Sequence, residues 1–382
     1  MSLSLPPTGT FVGRIWRPDC NGPAVVVRRG NRLIDITSPA LPTMHALLEC
    51  DNPAAAANDA SGEDLGTLSE IADNSTVNPD VQQPYLLAPP DLQPVKASGV
   101  TFVSSMLERV IEEKANGDPA KADALRQTCT AILGPSLLAI EPGSEKAAAL
   151  KDALMAEGVW SQYLEVGIGP DAEVFSKAQP MSAVGWGARV GLHPMSTWNN
   201  PEPEITLAMD SQGRIKGACL GNDVNLRDVE GRSALLLSKA KDNNASCALG
   251  PMLRLFDDSY GMDDVRRAEL TLMVTGEDGF VLRGHSSMSE ISRDPEDLVR
   301  QTFGAHHQYP DGFFLMLGTL FAPTQDRDAP GAGFTHKLGD VVEIANDQLG
   351  TLRNSVHLST QCPPWTFGTN ALMRNLAHRN LI

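Results

Sequence analysis

Two glutamates, Glu202 and Glu204, stand two residues apart in the run Pro-Glu-Pro-Glu-Ile-Thr-Leu-Ala-Met-Asp. The run reads as a β-strand, and on a strand a spacing of two puts both carboxylates on one face. Residues 214–221, Arg-Ile-Lys-Gly-Ala-Cys-Leu-Gly, follow a Ser211-Gln212-Gly213 turn and read as the hairpin partner. That return brings Asp223 to the end of the hairpin where the two glutamates lie. Three converging carboxylates repel one another unless they are protonated or bound to a cation. Hard oxygen ligands favour Mg2+, with Mn2+ or Ca2+ as alternatives, over zinc, and no Cys or His pair competes at this spacing. Taken alone the pattern has a bland reading too: an E-x-E pair is commonly a solvated strand face, and Asp223 in Asn-Asp is equally a turn residue.

The elements that must position these residues are mostly strands. Residues 268–286 form a second hairpin with its turn at Glu277-Asp278-Gly279, and residues 312–323 and 340–356 supply further strands. Helices gather earlier, over 105–117, 121–132 and 145–157, the first with a serine cap and Glu108 at the capping-box position. Before them, residues 11–16, 23–29 and 31–36 are short β-branched segments separated by Pro, Asn and Gly. Residues 43–50 and 64–73 read as two short helices. The expected class is therefore β-rich α+β, with a small N-terminal β/α domain over 1–90 and a catalytic domain over 91–382.

Composition bounds the function. The chain has 382 residues, 42% of them apolar and 20% charged, enough to bury a sizeable core. Lys and Arg number 31 against 47 Asp and Glu, a net charge of -16, which argues against a phosphate-backbone binder. No run of eighteen or more apolar residues suggests a membrane span, and the first residues lack the pattern of a secretory signal. The six cysteines are scattered with no CxxC pair, which suits a cytoplasmic protein with reduced thiols. The expectation is a cytoplasmic protein with a small-molecule ligand and neither a nucleic-acid nor a membrane partner.

Several further motifs recur in order around the carboxylates. Residues 221–231 read Gly-Asn-Asp-Val-Asn-Leu-Arg-Asp-Val-Glu-Gly, residues 241–251 read Lys-Asp-Asn-Asn-Ala-Ser-Cys-Ala-Leu-Gly-Pro, and residues 317–323 read Leu-Gly-Thr-Leu-Phe-Ala-Pro. Together with the Pro-Glu-Pro-Glu start they resemble the fumarylacetoacetate hydrolase family, over roughly residues 95–360. The resemblance implies that family's mixed β-sandwich roll and its divalent metal, carried by Glu202, Glu204 and Asp223. It also implies a functional lysine, Lys241, ahead of Ser246 and Cys247, and a Gly-Thr segment near the substrate, Gly318 and Thr319. Homo-oligomers are common in the family, so the resemblance implies one here.

One departure narrows the activity. Hydrolytic members carry a Gly-x-Asn-Tyr-x-x-His segment whose histidine serves as base for the attacking water. Here residues 99–105 read Gly-Val-Thr-Phe-Val-Ser-Ser, with Ser105 in the histidine's place, and an unassisted serine is no base at neutral pH. The N-terminal extension, residues 96–113 and the segment Asp-Ala-Glu-Val-Phe-Ser-Lys-Ala-Gln-Pro (171–180) instead resemble the branch that dehydrates 2-keto-3-deoxy sugar acids. By that resemblance Glu173 is the proton acceptor beside Lys241, with Ser105, Lys177, Gly318 and Thr319 around the substrate. The expected reaction is Mg2+-dependent dehydration of a 2-keto-3-deoxy-D-pentonate to 2-oxoglutarate semialdehyde. The alternatives are an acylpyruvate-type C–C hydrolase or decarboxylase on the same scaffold, and a non-catalytic keto-acid binding module.

Other conspicuous residues read as bland. His306 and His307 are adjacent and on a strand would face opposite ways. His193 reads as a loop histidine, Gly185-Trp186-Gly187 does not run from a strand into a helix, and Cys247 reads as a buried small hydrophobe.

Overall fold

The computed structural model describes residues 3–102, 106, 140–156, 158, 160–319, 321, 323, 325–329 and 333–382. The helices expected over 105–117 and 121–132 lie outside the described residues. Sixteen strands are present among them. They are β1 (Phe11–Arg17), β2 (Gly22–Arg29), β3 (Arg32–Asp35), β4 (Glu63–Thr67), β5 (Tyr85–Leu87), β6 (Val95–Gly99), β7 (Glu173–Ala178) and β8 (Arg189–Leu192). There follow β9 (Pro203–Met209), β10 (Ile215–Asp223), β11 (Cys247–Leu255), β12 (Glu269–Thr275), β13 (Val281–Ser287), β14 (Phe313–Met316), β15 (Val341–Asn346) and β16 (Gly350–Leu358). The class is β-rich α+β, as the sequence pattern indicates.

An eleven-stranded sheet runs β4-β3-β2-β1-β11-β10-β9-β14-β6-β7, with β5 added beside β1. A five-stranded sheet runs β13-β12-β15-β16-β8. Strands from both sides of residue 90 share the larger sheet, because β1 pairs with β11. Its centre is buried on both faces: every residue of β9 and β11 is buried, and every residue of β10 but the first. Alternation divides them. Ile205, Leu207 and Met209 join a core with Leu270, Leu272, Ile344 and Leu352 of the smaller sheet. Ala208, Cys219 and Leu249 join a second core with Met44, Leu47 and Ala54 from two short N-terminal helices. Glu202 and Glu204 follow the period of Ala208, and Asp223 that of Cys219, so all three acids belong to the face of the second core.

The helix expected over 64–73 divides in two. Residues 63–67 pair with β3 as β4, and the helix starts only at Leu68, where Thr67 and Glu70 form a capping box. The cap, rather than the apolar spacing, sets that start. The 145–157 expectation corresponds to the helix Glu145–Ala156.

The chain entering β9 is tied to a buried charge cluster. Trp198 Nε1 donates to the Phe334 carbonyl at 3.0 Å, and the His336 backbone N–H donates to Asn199 Oδ1 at 3.3 Å. His336 Nδ1 lies 3.1 Å from Asp340, whose carboxylate also takes two bonds from Arg327 at 2.7 and 2.9 Å. Arg327 and Lys337 in turn bind Asp278. Burial holds the His336 imidazole below its ordinary 6.5, outweighing the pull of Asp340 in the other direction. A folded state that resists protonation loses stability as pH falls below the unfolded value. The urea midpoint should therefore be flat above about pH 7 and decline below about pH 6.5. His336→Gln should flatten part of that slope; an unchanged slope would show that His336 is not the responsible group.

Candidate metal and substrate site

The β9–β10 ladder sets Glu204 opposite Gly221 and Pro203 opposite Asn222, and the Asp223 N–H donates to the Glu202 carbonyl at 3.0 Å. Glu202, Glu204 and Asp223 are buried, and each offers a carboxylate oxygen within 4.8 Å of the others. Two glycines make the approach feasible. A Cβ on Gly221 would stand 2.6 Å from Thr206 Oγ1 and 2.7 Å from the Met316 methyl. Gly318 has φ +91°, a Cβ there would meet Thr101 Oγ1 at 2.0 Å, and its N–H donates to Glu204 Oε2 at 2.7 Å.

Two buried ammonium groups answer the carboxylates. Lys241, the last residue of the helix Leu237–Lys241, donates to Glu202 Oε2 at 2.5 Å and to Asp223 Oδ2 at 3.0 Å. Lys177, on β7 and fully buried, lies 2.7 Å from Asp223 Oδ1 and donates to the carbonyls of Val224 and Lys241 at 3.1 and 2.6 Å. Its contact with Asp223 Oδ1 is an ion pair without hydrogen-bond angles, and that oxygen has no hydrogen-bond donor. Asn225 Nδ2 donates to Glu202 Oε1 at 2.9 Å and also to Glu230 at 2.6 Å. Burial, then the charges of Asp223 and Glu202, push the Glu204 carboxyl well above the usual carboxylate range. Burial alone would depress the Lys241 ammonium; Asp223, Glu202 and Glu230 overcome it and raise the group above its ordinary value. Three carboxylates therefore face two ammonium groups, and Glu204 is the carboxyl that holds its proton more tightly than an ordinary one.

A cavity of about 30 Å³ opens on this cluster. Its wall includes Glu202, Glu204, Asp223, Lys241, Glu173 and Thr319. Glu173 and Phe175 project from β7 on the same face as Lys177, and Lys241 Nζ sits 5.6 Å above the Phe175 ring. Gly99, opposite Glu173 in the β6–β7 ladder, makes room for that carboxylate: a Cβ there would lie 2.0 Å from Oε2. Val100 completes this wall at φ +54°, a left-handed conformation that is strained for a β-branched residue. Lys177 and Gly318 stand behind the wall, each holding a ligand carboxylate. Ser105, and Glu108 with it, lies outside the described residues. The sequence reading missed Tyr163 and Glu230, which also line the cavity. Only the charge of Glu230 in Arg-Asp-Val-Glu-Gly marked it, and nothing marked Tyr163. Of the bland readings, Cys247 is buried with its thiol pushed up to about 12 by that burial, and His306 and His307 are exposed around a bridge at Gly304–His307.

Residues 178–357, which carry the three acids, Lys241 and the Gly-Thr pair, match the model of the fumarylacetoacetate (FAA) hydrolase C-terminal family. Over this stretch the chain is similar to the fumarylacetoacetate hydrolase family. Two curated relatives align with the chain. One is a probable 2-keto-3-deoxyxylonate dehydratase of Haloferax volcanii, 31% identical over 194 residues, which are 51% of this chain and 63% of the relative. The other is a 2-dehydro-3-deoxy-D-arabinonate dehydratase of Saccharolobus solfataricus, 31% identical over 183 residues, 47% of this chain and 57% of the relative. The alignments thus span less than two thirds of either relative. A solved structure of 2-keto-3-deoxy-D-arabinonate dehydratase complexed with magnesium and 2,5-dioxopentanoate shares the fold, with a TM-score of 0.64 at 20% identity over 91% of this chain and 99% of that one. No helix among the described residues is long and apolar enough to cross a membrane.

The fold here presents a donor set suited to a hard dication: three carboxylates, no thiolate or imidazole among them, and an Asp223 oxygen lacking a hydrogen-bond donor. Lys241 occupies two of the acceptors such an ion would need. Lys241→Met should therefore tighten Mg2+ binding at least about tenfold in a calorimetric titration, by removing a like charge and a competitor. Unchanged or weaker binding would show that Lys241 and the ion do not share those oxygens.

Proposed function

We propose that the chain is a divalent-metal-dependent hydro-lyase that converts a 2-keto-3-deoxy-D-pentonate to 2-oxoglutarate semialdehyde. The observation that carries this reading is the convergence of Glu202, Glu204, Asp223 and Lys241 on one small cavity that Glu173 and Thr319 also line. Two relatives named as dehydratases of such acids support it. Glu202, Glu204 and Asp223 would hold a dication such as Mg2+, which would supply a Lewis acid to the keto acid.

The remaining steps fall to side chains. Glu173 faces the cavity and takes a proton from C3, which the neighbouring ketone acidifies. The C3–H electron pair becomes the C3–C4 double bond as the C4 hydroxyl leaves, combined with a proton, as water. A shift of that double bond toward C5 gives an enol, which tautomerises to the aldehyde. Lys241 is positioned to balance negative charge on the reacting acid; released from Glu202 and Asp223, its ammonium remains within the same cavity. The Thr319 hydroxyl binds the substrate carboxylate.

Turnover of 2-keto-3-deoxy-D-xylonate in the presence of Mg2+ should yield 2-oxoglutarate semialdehyde, and EDTA should abolish it. Glu173→Gln should lower kcat by about 10²–10⁴-fold while Mg2+ binding persists. Absence of aldehyde with the metal demonstrably bound would overturn the dehydratase reading and turn attention to acylpyruvates. Near-full turnover by Glu173→Gln would remove Glu173 as the base.

A further inference from the structure

Dehydration of a 2-keto-3-deoxypentonate to the aldehyde moves protons twice. The first relocation takes a proton from C3 as the C4 hydroxyl leaves, and gives the enone 5-hydroxy-2-oxopent-3-enoate. The second takes a proton from C5 and puts one on C3. It moves the double bond from C3–C4 to C4–C5 and so makes the enol of the aldehyde. Glu173 answers for the first relocation. The second acts two carbons further along the chain, and no group is yet assigned to it.

Among the described residues the cavity wall carries five carboxyl side chains: Glu202, Glu204, Asp223, Glu173 and Glu230. The first three are the candidate metal ligands, which leaves Glu173 and Glu230. Both of these also border the wider space beside the cavity, of about 160 Å³. Two separate elements place them: Glu173 opens β7, whereas the half-buried Glu230 ends the short helix Arg227–Glu230. Asn225 Nδ2 donates to Glu230 Oε2 at 2.6 Å and to Glu202 Oε1 at 2.9 Å, so one amide ties Glu230 to a ligand carboxylate. The negative charge of Glu230 is also among those that raise the Lys241 ammonium, which places the two groups within reach of one another's field.

We propose that Glu230 is the second base of the reaction: its carboxylate removes a proton from C5 of the enone and hands it to C3. The assignment rests on the dehydratase reading, which puts the C1–C2 end of the acid at the ligand carboxylates and C3 to C5 beyond them. The C5–H electron pair becomes the C4–C5 double bond. The C3–C4 π pair takes the proton at C3, and Glu230 ends as the carboxylate it began as. C3 and C5 flank the same carbon, so one carboxyl group serves both. In the first half Glu173 likewise passes the C3 proton to the departing C4 hydroxyl, which leaves as water. Each glutamate is thus restored within its own half, and neither needs an unusual protonation state at rest.

The test supplies two acids, each with Mg2+: 2-keto-3-deoxy-D-pentonate, and the enone itself made by synthesis. Glu230→Gln keeps the size of the side chain and an oxygen for Asn225 but cannot take a proton, and an unchanged Mg2+ affinity shows that the site is intact. From the pentonate this variant should form aldehyde about 10²–10⁴-fold more slowly than the wild type. Loss of the C4 hydroxyl should slow no more than about threefold, so the conjugated enone accumulates and is read by its ultraviolet absorbance. From the enone, Glu230→Gln should show the same deficit, whereas Glu173→Gln should stay within about threefold of the wild type. Wild-type aldehyde formation by Glu230→Gln would overturn the assignment. So would equal losses in both halves with no enone accumulating, which is the mark of a structural role, or a wild type that releases the enone as its final product. Conversion of the enone by the wild type and not by Glu230→Gln, with no turnover of the pentonate, would uphold Glu230 and dismiss the dehydratase reading. A wild type inert toward both acids with Mg2+ bound would end both.

Discussion

Burying three carboxylates within reach of one another is the constraint on which the rest of this structure depends. Like charges in a low-dielectric interior repel strongly, and desolvation penalises each separately. The fold meets that cost with two buried ammonium groups and with the proton that Glu204 retains at high pH relative to an ordinary carboxylate. Lys177 reaches the cluster from β7 and Lys241 from a short helix, so two separate elements are tethered to the β9–β10 hairpin by charge. A cation arriving at the site meets carboxylates already paired with two ammonium groups, and must exchange with them rather than fill a bare anionic pit.

The sheet pattern follows from the same requirement. Strands flanking a buried polar cluster cannot be solvated on one face, so β9, β10 and β11 are buried on both faces almost throughout. One face packs against the five-stranded sheet and the other against the N-terminal helices. Glycines stand where backbone or carboxylate must come close: Gly221 beside Thr206, Gly318 behind Glu204, Gly99 opposite Glu173. At each the space of a side chain is taken by another group: Thr206 and Met316 at Gly221, Thr101 at Gly318 and the Glu173 carboxylate at Gly99.

A division of labour separates the groups around the cavity. Asn225 links Glu202 to Glu230, another residue of the cavity wall. Lys177 and the Gly318 N–H hold ligand carboxylates from behind, while Glu173, Thr319 and Tyr163 face the space a substrate would fill. The chain entering β9 is fixed by the Phe334–His336 segment, and His336 packs against the buried Arg327–Asp340 ion pair.

By itself the sequence determined what local physics can encode. The two-residue spacing of Glu202 and Glu204, the turn at 211–213 and the return to Asp223 were enough to bring three acids to one place, because strand period and hairpin geometry are short-range properties. Ordered motifs around them were enough to mark the family and Lys241. The tertiary structure alone decided the rest. It put β4 where a helix was expected, since pairing with β3 and the Thr67 cap outweighed apolar spacing. It placed Lys177 and Gly318 behind the wall rather than in it. It brought Tyr163, from a helix far from the motifs in sequence, to the same cavity as Glu230. Such contacts depend on how distant elements pack, and no periodicity within either segment carries that information.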